Sequence, residues 1–416
     1  MGEIVGLSIG KYEFLSRKNT FGDLLSIFSK DDLKIEEVFD HELEEYIAKR
    51  YLATTVYKAK MCLDVMGHTI SKARKLFEYH KKEYIDYLED DHDEGVDIEN
   101  IEREYTFENW AQAVRRYSSI LATDVLENGD YRLLKQCRCE NNTLCEKKVL
   151  DSLPHWMNDT YFGIDFYYLD EEIGSPWDVF RVILEAFNSE EIITLDYTNL
   201  FEGGWCDEEP EEKEYMVSKT VILTEGSTDA SVISDAMKLL YPHMVKFYSF
   251  IDFSTYGVQG STNYLTHYLK AFIAARIRNR IIALYDNDSA GLSEIKVLNT
   301  IPIPPNVRIM HLPDLEICRN YPTIGPGGNA IDDINGRACS IEMFLGKDVL
   351  KKNGEYEPVR WKSYIDKVDA YQGEIVYKSK VLNRFKEKVK RSYDQLVLEE
   401  WEECDLLLRE IFNAFQ

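Results

Sequence analysis

Apolar and polar residues alternate through IVGLSIGKYEFLS, residues 4–16, on either side of Gly10-Lys11, and this pattern predicts a β-hairpin. After Asp32 the spacing lengthens. In VFDHELEEYIAKRYLATTVYKAKMCLDVMGHTISKARKLFEYHKKEYIDYLED the apolar and aromatic residues recur at three and four positions with few breakers, which predicts long helices. The acidic stretch from about 88 to 104 reads as a surface linker, and FENWAQAVRRYSSILAT as a further helix. A helix over DVFRVILEAF and a strand over EIITLDY follow, and the run EEPEEKE at 208–214 marks a domain boundary.

Beyond that boundary strands and helices alternate. VILTEG, KFYSFIDF, RIIALYDND and NVRIMHLP read as strands, and the segments after VILTEG and over TNYLTHYLKAFIAARI as helices; SEIKVLN follows RIIALYDND. Such alternation predicts a Rossmann-like parallel sheet with helices on both faces. The last stretch, VLNRFKEKVKRSYDQLVLEEWEECDLLLREIFNAF, predicts an amphipathic C-terminal helical region. The expected organisation is a hairpin plus mostly helical α+β region over 1–214, an α/β domain over 215–350, and a basic then amphipathic helical region over 351–416.

A chain of 416 residues with 44% hydrophobic content suffices for two or three packed cores. It holds no apolar run of about eighteen residues, and its N-terminus lacks a signal-peptide pattern, so a soluble cytoplasmic protein without membrane contact is expected. Of eight cysteines only QCRCENNTLC (Cys137, Cys139, Cys145) forms a cluster. Its nearest fourth ligand, His155, lies in a different segment, so reduced thiols are expected instead of zinc. The net charge of −25 rules out general attraction to nucleic acid. Positive residues dominate only from Arg360 to Arg391, where Lys386, Lys388 and Lys390 are the expected phosphate contacts; Arg276, Arg278 and Arg280 are the alternative.

Chemistry concentrates at two strand ends. In VILTEGSTDA the apolar run ends at Glu225, and ligands of open α/β sheets bind outside the carboxyl ends of strands. The plain alternative is a solvated Glu225 before a helix capped by Ser227, Thr228 and Asp229. In RIIALYDNDSAG a second apolar strand runs into Asp286 and Asp288, and a period of two puts both carboxylates on one side. Three acids delivered to one sheet edge repel one another unless a cation bridges them. Hard oxygen ligands suit Mg²⁺ or Mn²⁺.

EGSTD after an apolar strand and ALYDNDSAG about sixty residues later resemble the Toprim domain of topoisomerases, bacterial primases and several nucleases. With LLYP, KFYSFIDF, KAF, YQGEI, MCLDVMGHT and the N-terminal hairpin, the chain resembles the HEPN/Toprim-associated proteins of bacteria, often linked to defence against phage. The resemblance implies a Toprim nuclease in which Glu225 does general acid/base work and Asp286 and Asp288 bind metal. Asp229 resembles an additional acid of the nuclease branch, Glu342 its late acidic motif, and Lys378, with Lys380 nearby, its basic residue. Glu225, Asp229, Asp286, Asp288 and Glu342 form the implied metal set. The implied substrate is DNA or RNA, tRNA included. No G-x-x-x-x-G-K-[ST] occurs, so any ATPase or sensor is a separate partner.

Other readings fit less of the sequence. Haloacid-dehalogenase phosphatases share an Asp-x-Asp after a strand but normally continue with Thr or Val where Ser289 stands. A primase would bring a zinc module, and a topoisomerase a nucleophilic tyrosine that 27 tyrosines do not single out. Two alternatives stay open: a non-catalytic regulatory or scaffolding protein, and a metal-independent HEPN-type ribonuclease built on Arg74 and His80 with the Toprim domain as its regulator.

Overall fold

The computed structural model describes residues 3–40, 44–90, 97–127, 130–154, 160–165, 174–207, 218–251 and 260–416. The expected boundary at 208–214 and the candidate ligand His155 lie outside the described residues. The chain divides into two compact units, one of residues 1–216 and one of residues 217–415, with Gln416 grouped with the first.

In the first unit β1 (Ile4–Ile9) and β2 (Tyr12–Lys18) form the expected hairpin, with Gly10 at φ +61 in its turn. β3 (Leu33–Asp40), β4 (Glu45–Thr55) and β5 (Ile192–Asp196) complete an antiparallel sheet in the order β2-β1-β5-β4-β3. Residues 33–55 are thus strand, not helix. The sequence spacing misleads there because Leu52, Thr54 and Val56 are buried at a period of two, and β5 pairs with the backbone of Tyr51–Thr55.

After the β4 strand comes α1 (Val56–Met66), where the Thr55 hydroxyl accepts from the Lys58 N–H, and which ends at Gly67, φ +98. α2 (Ile70–Asp90), α3 (Phe107–Thr123) and α4 (Pro176–Ile183) follow. The expected linker is partly helical too: α2 reaches Asp90, and Ile98–Glu104 forms a short helix capped by Asp97 and anchored by buried Ile101. Among its described acids Glu89, Asp90, Asp97, Glu99 and Glu102 are exposed. MCLDVMGHT gains a structural role. Asp64 takes Arg181 through two nitrogens at 2.8 and 3.1 Å, and His68 Nδ1 lies 2.8 Å from fully buried Asp178, tying α1 and its C-terminal turn to α4. Cys137 and Cys145 are buried and Cys139 is exposed, each as a free thiol.

The second unit is mixed α/β. Its parallel sheet runs β7-β6-β8-β9, from β6 (Thr220–Leu223), β7 (Tyr248–Phe250), β8 (Ile281–Tyr285) and β9 (Val307–His311). α5 (Ser227–Leu240), α6 (Thr262–Ala274) and α7 (Ser289–Leu298) fill the crossovers. Leu223, Ile281, Ala283 and Tyr285 bury one face of the sheet with Leu265 and Leu269 of α6 and Leu298 of α7.

Residues 351–377 depart from the expected helical region. A second sheet, in the order β11-β10-β12-β13, is built from β10 (Tyr321–Gly325), β11 (Gly328–Asp332), β12 (Val359–Ile365) and β13 (Ala370–Ile375). The alternation in VRWKSYI was masked by its lysine and arginine. The chain ends in two helices, α8 (Lys378–Asp394) and α9 (Glu402–Asn413), in place of one.

Lys388 explains that break. It is 3% exposed, and its ammonium donates to the Leu345 and Glu400 carbonyls and pairs with Asp348 at 2.8 Å. It therefore fixes the chain reversal after α8 and is not a surface phosphate contact. Lys362 pairs with Glu374, Lys390 with Glu387, and Arg391 with Glu400 and Asp348, so much of the basic stretch is neutralised internally. Replacing Lys388 by Met should cost about 2–4 kcal/mol, below the full buried-pair penalty because Asp348 still reaches solvent. Urea denaturation measures this, and an unchanged midpoint would contradict the assigned role.

Candidate functional site

The register of the parallel sheet sets the site. Leu223 of β6 lies opposite Ala283 of β8, so Glu225 and Asp286 emerge side by side beyond the strand ends. The Asp286 N–H donates to Glu225 Oε1 at 3.1 Å, and the Thr262 hydroxyl donates to Glu225 Oε2 at 2.6 Å. This closeness restricts the backbone. A Cβ on Gly260 would meet the Glu225 carbonyl at 2.6 Å, and one on Gly291 would meet the Asp286 carbonyl at 2.3 Å. The glycine of DNDSAG is thus required by contact with the acid turn.

Asn287 and Asp288 form a two-residue strand against Ala338–Cys339. Asn287 bonds Asp314 and the Gly336 N–H, whereas Asp288 caps α7 through the Gly291 N–H at 2.8 Å and accepts from Gln372. Asp229 sits in the first turn of α5 and accepts from the Gly226 N–H at 2.9 Å. Glu342 is fully buried, receives the Ser340 hydroxyl at 2.6 Å, and pairs with Lys378 at 2.8 Å. Lys380 instead lies over the Tyr377 ring.

Electrostatics joins these groups. Burial, with Asp288 and Asp229 nearby, pushes Glu225 up to about 7 against its two hydrogen bonds. Burial and Glu342 push Asp229 up to about 6. Burial and then Glu225, Asp229, Asp288 and Glu342 drive Asp286 well above the usual range. Asp288 is raised by burial against the bonds from Gly291 and Gln372. Burial opposes the charge on Lys378, but Glu342, Asp286 and Asp229 outweigh it and raise its pKa. All six residues named from the sequence therefore act on one neighbourhood.

Among the described residues no group of three His, Cys, Asp or Glu side chains stands so as to hold a metal ion in the positions seen. The donor chemistry still fits a hard divalent cation. The acids are oxygen donors crowded enough to hold one another's protons, and the Asp286 carboxylate accepts no hydrogen bond from a described residue. Gln372 and Thr262 are site-holding residues that the motif reading missed, although YQGEI contains the first.

The outer candidates behave differently. Arg74 is held by Glu108 at 2.5 Å and lies over the Phe107 ring, while the His80 ring packs edge-on against Tyr105. Both residues lie on α2. Arg276 and Arg278 are exposed, and Arg280 lies over Phe415.

The fold and site thus define a mixed α/β protein with an acidic centre at the carboxyl edge of a parallel sheet. Residues 1–219 match the family HEPN/Toprim N-terminal domain 1, more than half of the 416-residue chain, and the chain belongs to the HEPN/Toprim family. No curated protein and no solved structure matches it. Among the described residues no helix is long and apolar enough to cross a membrane.

The raised carboxylates set a pH dependence. Because Glu225 and Asp229 hold protons more tightly folded than unfolded, their contribution to stability is fully present below the ordinary carboxylate range. It is lost as pH rises through about 6 and 7. Glu225→Gln should therefore gain stability relative to wild type on going from about pH 5 to about pH 8. Thermal melts across that range measure the gap, and a gap that does not change with pH would contradict the shift.

Proposed function

We propose that the second unit is a Toprim-type nuclease domain that cleaves phosphodiester bonds of DNA or RNA with a divalent cation, Mg²⁺ or Mn²⁺. The observation that carries this reading is the convergence of Glu225, Asp286 and Asp288 beyond two adjacent parallel strands, each with a raised pKa. Asp286, Asp288 and Glu225 would hold the cation, with Asp229 and Glu342 adding negative charge to the same centre. The cation, when bound, supplies charge neutralisation at the phosphoryl oxygens.

The remaining chemistry belongs to the chain. Glu225, at the strand end beside Asp286, can take a proton from an attacking water at its carboxylate. Lys378 places a positive charge among the acids, suited to a phosphoryl group as charge builds on it. The family resemblance supports a role in defence against phage in the bacterial cytoplasm, with a separate ATPase or sensor as partner and nucleic acid, tRNA included, as substrate. The engagement of Arg74 by Glu108 and Phe107 disfavours an Arg/His ribonuclease site in the first unit.

Purified protein should cut at least one of labelled plasmid, single-stranded DNA and total tRNA in Mg²⁺ or Mn²⁺. EDTA or Glu225→Gln should lower the rate at least 100-fold, and the Arg74→Ala/His80→Ala double variant should stay within about threefold of wild type. Cleavage that survives EDTA and Glu225→Gln but vanishes in the double variant would move the active site to the first unit.

A further inference from the structure

The last strand of the second sheet touches the acidic centre. Gln372 of β13 reaches across to the first turn of α7. Its Nε2 donates to Asp288 Oδ2, and its Oε1 accepts the Ala290 N–H at 3.0 Å. The contact is reinforced on both sides. The Ser289 hydroxyl donates to the Tyr371 carbonyl at 2.9 Å, and the Gly373 N–H donates to the Arg337 carbonyl at 3.2 Å. Asp288 Oδ1 is already taken by the Gly291 N–H, so each oxygen of this carboxylate has a fixed donor, and the Ala290 N–H also favours its charged form.

We propose that Gln372 is a positioning residue of the acidic centre, holding Asp288 in one rotamer so that a defined lone pair of each oxygen stays open toward a cation. The proposal builds on the nuclease reading and adds a residue to it. A primary amide suits the role. One end must donate to a carboxylate and the other must accept from a helix N-terminal N–H, and an amide alone among uncharged side chains of this length does both. Partners that orient a ligating carboxylate typically change metal affinity 10–100-fold when removed.

Two variants separate positioning from simple packing. Gln372→Met keeps the length and loses both bonds. Gln372→Glu, when ionised, can still accept from Ala290 but no longer donates to Asp288. Titration calorimetry with MnCl₂ on the full chain reads affinity, and the Mn²⁺ electron paramagnetic resonance line shape reads ligand geometry. Thermal melts in EDTA read the fold. Both variants should bind Mn²⁺ about 10–100-fold more weakly with an altered line shape, and Gln372→Glu should melt within a few degrees of wild type. Wild-type binding together with equal or tighter binding and an unchanged line shape in both variants overturns the proposal and leaves the nuclease reading standing. If wild type itself binds no Mn²⁺, the cation reading falls and the proposal with it.

Discussion

Like charges forced together govern the second unit. The parallel pairing of β6 with β8 places Glu225 and Asp286 within one hydrogen bond of each other, and Asp288, Asp229 and Glu342 are close enough to raise their pKa values. Nothing in the packing of the sheet requires acids there. Carboxylates that hold one another's protons destabilise the folded chain above neutral pH, so the arrangement is a cost that a bound cation would offset. The surrounding structure supplies what repulsion opposes: N–H groups from Asp286, Gly226 and Gly291, the Thr262 and Ser340 hydroxyls, the Gln372 amide and the Lys378 ammonium.

These supports come from separate places in the chain. Thr262 opens α6, Ser340 precedes a short 3₁₀ turn, and Gln372 and Lys378 flank the end of β13. The second sheet is therefore more than an appendage to the parallel one. Its last strand and the following helix present two polar groups to the acidic centre six residues apart. Lys388, ten residues further on, is spent on closing the chain reversal, which accounts for a basic stretch with little free charge.

The alternation of strand and helix after residue 217 was legible because each parallel strand is a short continuous apolar run followed by polar residues, and that pattern survives without tertiary information. The acid positions were legible for the same reason, since a strand's end is visible in the text. Residues 33–55 were not. Their mixture of Glu, Lys and aromatic residues matches helical spacing locally, and only pairing with β5, some 140 residues away in sequence, selects the extended form. β12 escaped because four of its seven residues are exposed and charged or polar positions blur the period. Gln372 could not be placed from spacing at all, because it reaches the acidic centre through a contact across 84 residues.

Crystals soaked in MnCl₂ and measured at the manganese absorption edge test the central claim directly. The account predicts an anomalous peak about 2 Å from carboxylate oxygens of Asp286 and Asp288, with Glu225 turned toward it. An acidic centre without a peak, in crystals where manganese binds elsewhere on the chain, would contradict it.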